Sequence, residues 1–186
     1  TRLLSEYLVG RVTRFQADKR PLSPPWLWSD IGQISQGQVA IPGIATISNN
    51  VYTIKGSGYN SGESDEYFYL YQLVSGDFDI VARATSVTAP DEWAGAGVMI
   101  RESLDAGARD VLVTELQRGN TVFNRRAAHD GSTATTFGGG NTPRWLKISR
   151  RGPQIEGFNS TDGSSWASMG VDTIVMGNDV LAGLVA

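Results

Sequence analysis

The sequence predicts an all-β protein, a sandwich of two antiparallel sheets in a jelly roll. The chain has 186 residues, of which 40% are hydrophobic and 19% charged, so it suits one domain with a sizeable core. Its 22 glycines mostly separate short β-rich runs, which recur roughly every 8–12 residues. Several of the connections also have the chemistry of tight turns. Together these observations favour a sandwich over a helical or mixed fold.

Ten runs carry the β-branched and aromatic residues that are typical of strands. In chain order they are 51–55, 67–74, 78–87, 96–100, 110–117, 121–127, 145–150, 154–160, 166–175 and 181–185. The connections "VSGDF" and "QRGNT" are short and contain glycine. "STDGSSW" pairs Asp162 with Gly163, so we interpret Ser160 to Trp166 as a hairpin whose turn is held by side-chain hydrogen bonds.

The first 25 residues differ in character from the rest. They carry five basic and two acidic residues, a balance of +3, which leaves −6 for the remainder of a chain whose net charge is −3. The apolar positions with helical spacing, and the tyrosine beside them, are Leu4, Tyr7, Leu8, Val12 and Phe15. Residues 11–15 could equally form a strand, and "PLSPP" makes a stiff hinge. We predict that residues 1–25 are an arm outside a sandwich of residues 26–186.

From residue 28 onward the chain resembles the concanavalin A-like lectin and glucanase superfamily, and more narrowly the bacterial modules of the regulation-of-enolase type. The stretches that carry the resemblance are "WSDIG", "YTIKGSG", "SDEYFYLYQLVSGDFDIVAR", "WAGAGVMIRESL", "PRWLKISRRG", "NSTDGSSW" and "VLAGLVA". The resemblance implies a jelly roll appended to a secreted protein, and hence an extracellular or cell-surface location.

Family members run on after the "GLA" strand into one more strand, whereas this sequence stops at Ala186. The sandwich is therefore expected to lack its last strand, which would leave unpaired backbone. The N-terminal arm could fill the gap in cis. A neighbouring molecule could also donate it, which would make the protein a subunit of a filament, surface layer or virion.

The residues that hydrolysis would need are not assembled in the sequence. Glucanases of the superfamily use a pattern like Glu-x-Asp-x-x-Glu; Glu63 and Asp65 fit its first two positions, but Phe68 occupies the third. The single histidine, His129, lies in the loop-like "AHDGSTATTFGGGN", whose glycines we interpret as a loop rim. There is no cysteine. We therefore expect no enzymatic activity.

Calcium is the one cofactor that the sequence allows for. Asp77 and Asp79 share strand parity, so both could face one side and bind a cation together. Ordinary surface acidity is the alternative interpretation.

A row of tyrosines is the main candidate for a binding surface. Strand alternation puts Tyr67, Tyr69, Tyr71 and Leu73 on the face opposite Phe68 and Leu70. The row could form a concave platform on which sugars stack, or loops could cover it and make a second small core. The accompanying candidates for glycan binding are Arg83, Trp93 and Tyr59, whereas Trp145 and Trp166 are expected in the core.

We therefore predict a non-catalytic extracellular module that binds a glycan or cell-surface polysaccharide. The alternative is a structural subunit that self-associates through residues 1–20. A net charge of −3 argues against nucleic acid as a partner, and no run is apolar enough for membrane insertion.

Overall fold

The structure of the protein is a computed structural model. It describes residues 26–32, 42–48, 51–58 and 62–186, together with the backbone of residues 5–17. Within these ranges every regular element is a β-strand, and no helix there is long and apolar enough to cross a membrane. The prediction of an all-β sandwich is confirmed.

In the described part of the chain fourteen strands build the sandwich, and all of their pairings are antiparallel. They are β1 (Ser5–Ala17), β2 (Leu27–Ile31), β3 (Ile44–Ser48), β4 (Val51–Gly56), β5 (Tyr67–Ser75), β6 (Phe78–Thr88), β7 (Gly95–Arg101), β8 (Asp110–Leu116), β9 (Asn120–Arg126), β10 (Ala134–Gly139), β11 (Arg144–Arg151), β12 (Gln154–Ser160), β13 (Ala167–Thr173) and β14 (Asp179–Val185).

The strands form two seven-stranded sheets. Sheet A has the order β13-β12-β11-β6-β1-β4-β3, and sheet B the order β10-β9-β8-β7-β14-β5-β2. Edges β13 and β10 are neighbours across the sandwich, because Gly138 of β10 lies against Met169 of β13. Consecutive strands from β7 to β10 are joined as hairpins, so this end of sheet B is built from local connections.

The main core lies between the two sheets and follows the two-residue alternation of the strands. In β6 every second residue from Phe78 to Ala84 is buried, and the same holds for Leu146, Ile148 and Arg150 in β11. Large, fully buried apolar side chains fill the space between the two sheets. Among them are Phe68, Phe78, Phe123, Ile54, Ile80 and Leu146.

The N-terminal segment does not lie outside the sandwich, and for residues 5–17 that prediction is wrong. β1 is a strand in the interior of sheet A, where it pairs with β4 from Ser5 to Gly10 and with β6 along most of its length. Pairing on both sides satisfies backbone groups that β4 and β6 would otherwise leave open, which outweighs the helical spacing of the apolar residues. Within the chain, β1 thus pairs with a strand on each side.

The side chains of several predicted arm and site residues are not described by the structure. Leu4 and Tyr59 lie outside the described residues, and Tyr7, Leu8, Val12 and Phe15 lie on β1, of which only the backbone is described.

The C-terminal strand is fully paired. β14 lies between β5 and β7 in the interior of sheet B, and the backbone of Ala186 exchanges hydrogen bonds with Phe68 at 2.8 and 3.0 Å. The sandwich was expected to lack its last strand and so to leave unpaired backbone beside its C-terminal strand. β14 is not such an unpaired edge.

Three short strands were not expected from the sequence. β2 and β3 are edge strands, and β10 contains most of the "FGGG" stretch that we interpreted as a loop rim. β10 pairs with β9 residue by residue, Gly139 opposite Asn120. Glycine retains the backbone donor and acceptor that this ladder needs, although it adds no side chain to the packing.

Candidate functional site

The tyrosine row contributes to a second small core. This is the alternative that the sequence left open, in which loops cover the row. Tyr69 is fully buried and Tyr71 is 8% exposed; both pack with Ile31, Met99 and other residues on the outer face of sheet B. The rings of Tyr69 and Tyr71 stack with centroids 5.2 Å apart, and the Tyr69 hydroxyl donates to the carbonyl of Met99 at 3.1 Å. Buried rings cannot stack on a sugar, so Tyr69 and Tyr71 do not form a binding platform. Tyr67 is partly buried against the same cluster, and Leu73 at the other end of the row is 63% exposed.

A network of buried charges holds the cover over these tyrosines. Asp65 receives hydrogen bonds from Arg101 at 3.0 Å and, in bidentate geometry, from Arg126 at 2.7 Å on each oxygen. Arg126 also pairs with Asp110 at 2.8 Å. These four side chains are at most 1% exposed, so the network is entirely internal.

The same arginines fix the covering loop through its backbone. Arg101 donates to the carbonyls of Ser103 at 2.6 Å and Asp105 at 2.5 Å, and the amide of Asp65 donates to the carbonyl of Ala106 at 3.0 Å. These hydrogen bonds hold the loop between β7 and β8 against the segment before β5.

The two carboxyl groups of the network differ in their protonation preference. Burial opposes ionisation of Asp65, but the hydrogen bonds and charges of Arg126 and Arg101 outweigh it and hold its pKa below the ordinary value. Burial, followed by the charge of Asp65, raises the pKa of Asp110 well above its ordinary value. Asp65 is therefore the ionised partner of the arginines, while Glu63 lies exposed in the preceding turn.

Arg83 lies on the opposite side of the molecule from the tyrosines. It projects from the outer face of sheet A, with its guanidinium carbon 5.9 Å from the ring centroid of Trp145. Trp145 and Trp166 are half-buried on that outer face and not in the core, which corrects our expectation. Lys147 lies 4.0 Å from the Phe158 ring and 4.4 Å from that of Trp166, so these rings are engaged by a cation.

The two predicted calcium ligands each have a protein partner. Asp77 accepts a hydrogen bond from the amide of Gly152 at 2.6 Å, and Asp79 pairs with Arg151 at 2.9 Å. In the described part of the chain, no group of three or more histidine or acidic side chains is placed to hold a metal ion.

Of the predicted glycan-binding residues that the structure describes, Trp93 is the one most exposed to solvent. Its ring is 55% exposed and is anchored by a turn in which its amide donates to Asp91 at 2.8 Å. The guanidinium of Arg118 lies 3.5 Å from the Trp93 ring centroid and 5.5 Å from that of Phe137. Phe137 is 54% exposed and meets Trp93 edge-on with centroids 6.5 Å apart.

We call Trp93, Arg118 and Phe137 the aromatic stack. Three separate segments meet in it: the loop before β7, the β8–β9 turn and strand β10. Backbone hydrogen bonds join the first two, since Arg118 donates to the carbonyl of Glu92 at 3.1 Å and Gln117 to that of Ala94 at 2.8 Å.

A recess opens beside the aromatic stack, between the edges of the two sheets. It is largely open to solvent, has a volume of about 520 Å³ and combines apolar, amide, hydroxyl and guanidinium groups. Its walls come from β10 and the residues that follow it, and from β11 to β13: Thr136, Phe137, Gly138, Gly139, Gly140, Asn141, Arg144, Asn159, Ala167, Ser168 and Met169. Phe137 belongs to both features, so stack and recess form one continuous surface.

A buried acid lies behind the wall of the recess. Glu115 is fully buried and its Oε2 accepts a hydrogen bond from Thr121 at 2.8 Å. Its Oε1, like Nε of Arg144, has no hydrogen-bond partner among the residues that the structure describes. A Cβ at Gly140 would lie 2.6 Å from the Glu115 carboxyl, so only glycine fits between the acid and the recess.

Replacing Glu115 by glutamine is expected to make stability less dependent on pH. Burial raises the pKa of Glu115, and the Thr121 hydrogen bond and Arg144 charge offset this only in part. The folded state then binds more protons than the unfolded one, so stability falls as the pH rises from the ordinary glutamate pKa through the raised one. Glu115→Gln should gain stability relative to wild type at pH 7 and lose that advantage near pH 4, in urea unfolding followed by circular dichroism.

The exposed carboxylate of Glu63 offers the matched control for this comparison. Glu63→Gln should track wild type at both pH values. If Glu115→Gln is also as stable as wild type at both pH values, burial does not raise the pKa of the Glu115 carboxyl.

The hairpin between β12 and β13 is held as the sequence predicts. The Ser160 hydroxyl bonds to Asp162 and accepts from the amide of Gly163 at 2.9 Å, while Asp162 accepts from the amides of Ser164 and Ser165 at 2.8 and 2.7 Å. These hydrogen bonds favour the carboxylate and hold the pKa of Asp162 below its ordinary value. Gly163 has a φ of 75° and leaves no room for a side chain, since a Cβ would lie 2.8 Å from the Trp145 ring.

Sequence reasoning found Trp93 and missed its neighbours. Arg118 lies in the predicted "QRGNT" turn, and Phe137 interrupts a stretch of small residues. A phenylalanine beside three glycines is a signal of exposed apolar surface, but nothing local links it to Trp93 or Arg118.

The comparisons with known proteins bear on the fold. No family model matches the chain, and no curated protein matches it. One similar solved structure is a protein of unknown function from Saccharomyces cerevisiae, with a TM-score of 0.55, 11% sequence identity, and coverage of 87% of this chain and 85% of that chain. At this identity the likeness supports the sandwich fold alone.

Proposed function

We propose that the protein is a non-catalytic β-sandwich module that binds a glycan at the recess beside the aromatic stack. The observation that carries the proposal is the pair of exposed rings, Trp93 and Phe137, beside an open recess of about 520 Å³ with a mixed polar and apolar lining. Ligand sites commonly combine such a concavity with a few polar groups that fix orientation.

The chemistry of this surface suits a sugar. A pyranose has an apolar C–H face, which an exposed indole or phenyl ring can cover, and a rim of hydroxyls that need both donors and acceptors. The side-chain amides of Asn141 and Asn159 in the recess wall supply both kinds of group.

The site is also held in place before a ligand arrives. The turn at Asp91 fixes the Trp93 backbone, and Arg118 lies between the two rings. A preformed site loses less conformational entropy on binding, so even a few contacts can yield useful affinity.

The setting of the module belongs to the same proposal. We take the resemblance to the concanavalin A-like superfamily, and to its regulation-of-enolase-type modules, as support for a carbohydrate-binding role outside the cell or at its surface. The two-sheet architecture agrees with that assignment.

The test is the binding of a glycan panel by wild type and by Trp93→Ala, measured on an array and then by calorimetry. Loss of the ring should weaken binding about tenfold or more, because exposed aromatic anchors carry a large share of the contact energy. The control is Trp28→Ala, since Trp28 is 63% exposed on β2, at the opposite edge of sheet B.

Tyr69→Phe gives a second comparison, and it should bind like wild type because Tyr69 is buried. The proposal fails if no glycan binds wild type, or if Trp28→Ala weakens binding as much as Trp93→Ala does.

A further inference from the structure

Arg118 carries a charge that the protein does not neutralise. Its side chain is exposed, and among the described residues no carboxylate lies within ion-pairing distance of it. The nearby acid Asp91 is engaged with the amide of Trp93, and Glu92 meets Arg118 through its backbone carbonyl. Three other described arginines that reach the surface have an acidic partner: Arg109 pairs with Glu102 at 3.0 Å, Arg125 with Asp172 at 3.4 Å and Arg151 with Asp79 at 2.9 Å.

The flanking rings orient this charge. With its guanidinium carbon 3.5 Å from the Trp93 centroid, Arg118 covers one ring while the second lies 5.5 Å away. A guanidinium stacked in this way keeps its N–H groups free in its own plane, where they match the two oxygens of a carboxylate. Stacking also restrains the long side chain, so less entropy is lost when an anion binds.

The charge lies at the rim of the recess. Gly119, the residue after Arg118, touches the side chain of Asn141, and Asn141 lines the recess. A second arginine, Arg144, lines the same recess, and its Nε lacks a hydrogen-bond partner in the described part of the chain. Glu115, the acid that interacts with the Arg144 charge, is fully buried behind Gly140 and turns no exposed oxygen toward a ligand, while the carboxylate of Glu156 accepts a hydrogen bond from Ser168 in the wall at 2.6 Å.

From this arrangement we infer that the recess takes an acidic glycan, a polymer of uronic acid, whose carboxylate pairs with Arg118 while its sugar ring packs on Phe137 or Trp93. Arg144 serves a second anionic or hydroxyl group deeper in the recess. The inference rests on the proposed function and adds the chemical class of the ligand to it.

The experiment compares probes that differ only in charge. Polygalacturonate is titrated against its fully methyl-esterified form, which keeps the sugar and loses the carboxylate charge; alginate and hyaluronan are further uronates, and dextran is a neutral polymer. Wild type should bind at least one uronate about tenfold more tightly than the neutral probes at low salt, and lose affinity as salt rises.

Arg118→Gln should remove this preference, because a charge-assisted bidentate contact is worth roughly a tenfold change in affinity or more. Arg118→Lys should recover it only in part, since lysine cannot make the planar pair. Arg109→Gln is the control that removes the same charge far from the stack, and it should bind like wild type.

The outcomes separate the two proposals. Equal binding of charged and neutral glycans, with no effect of Arg118→Gln, overturns the acidic-ligand inference and leaves glycan binding intact. Absence of binding to every glycan overturns both.

Discussion

Asp65→Ala should lower the free energy of unfolding by about 3–5 kcal/mol, the usual cost of leaving a buried charge without its partner. The carboxylate of Asp65 makes three hydrogen bonds to Arg101 and Arg126, and all three residues are buried. Removing it leaves two arginines in the interior with their principal counter-charge gone. Urea unfolding at pH 7, followed by tyrosine and tryptophan fluorescence, measures the loss.

The other carboxyl in the network provides the sharpest control. Because burial and the charge of Asp65 raise the pKa of Asp110, its carboxyl favours the neutral form, and asparagine resembles that form closely. Asp110→Asn should therefore cost far less stability than Asp65→Asn, although both residues contact Arg126. Equal losses would show that the two carboxyls share the charge and contradict the assignment.

Asp65 and Asp110 contribute to the pH dependence of this network with opposite signs. The folded state depresses the pKa of Asp65, so its contribution is present above the ordinary aspartate pKa and is lost as the pH falls through the depressed value. The folded state raises the pKa of Asp110, so its contribution is present below the ordinary aspartate pKa and is lost as the pH rises through the raised value.

Phe123→Ala should also cost about 3–5 kcal/mol, because it opens a cavity where the two sheets meet. Phe123 of β9 is fully buried, and Gly157 of β12 in the facing sheet packs directly on its ring. A Cβ on Gly157 would lie 2.6–2.8 Å from three ring carbons. Chemical denaturation of the variant measures the effect on the free energy of unfolding.

A double-mutant cycle shows whether this contact joins the sheets. Gly157→Ala alone should destabilise by about 1–3 kcal/mol through overpacking. In the Phe123→Ala background the same change should cost much less, because the new methyl group then has room. If the two losses of unfolding free energy are strictly additive, the Phe123 ring and Gly157 are not energetically coupled.

The strands were predictable where their own residues carried the signal. Alternation placed Phe68 and Leu70 in the main core, and the Asp162 hairpin followed from local hydrogen-bonding chemistry. The tyrosine row was ambiguous for a physical reason: alternation shows which side Tyr69 faces, but whether a loop covers that side depends on Asp65 meeting arginines from two distant strands.

The aromatic stack could be predicted only in part. Trp93 lies in an evident loop, but Arg118 and Phe137 reach it through the order of β7, β8, β9 and β10 in sheet B. That order is a run of local hairpins, but the sequence around Phe137 was interpreted as a loop, so its position on β10 was not predicted. For the N-terminal segment the local pattern was misleading. Its apolar residues have the spacing of a helix, but pairing with β4 and β6 makes it a strand.

The position of β1 and β14 has a consequence for the order of folding. Each occupies the interior of a sheet, yet they come from opposite ends of the strand sequence, so Glu6 pairs with Thr88 and Val185 pairs with Tyr69. Loops spanning long stretches of chain must close before either pairing is gained, which makes folding slow relative to a sandwich of hairpins. During synthesis β5 and β7 would wait with open edges until β14 emerges from the ribosome, and in that interval the chain is most exposed to aggregation.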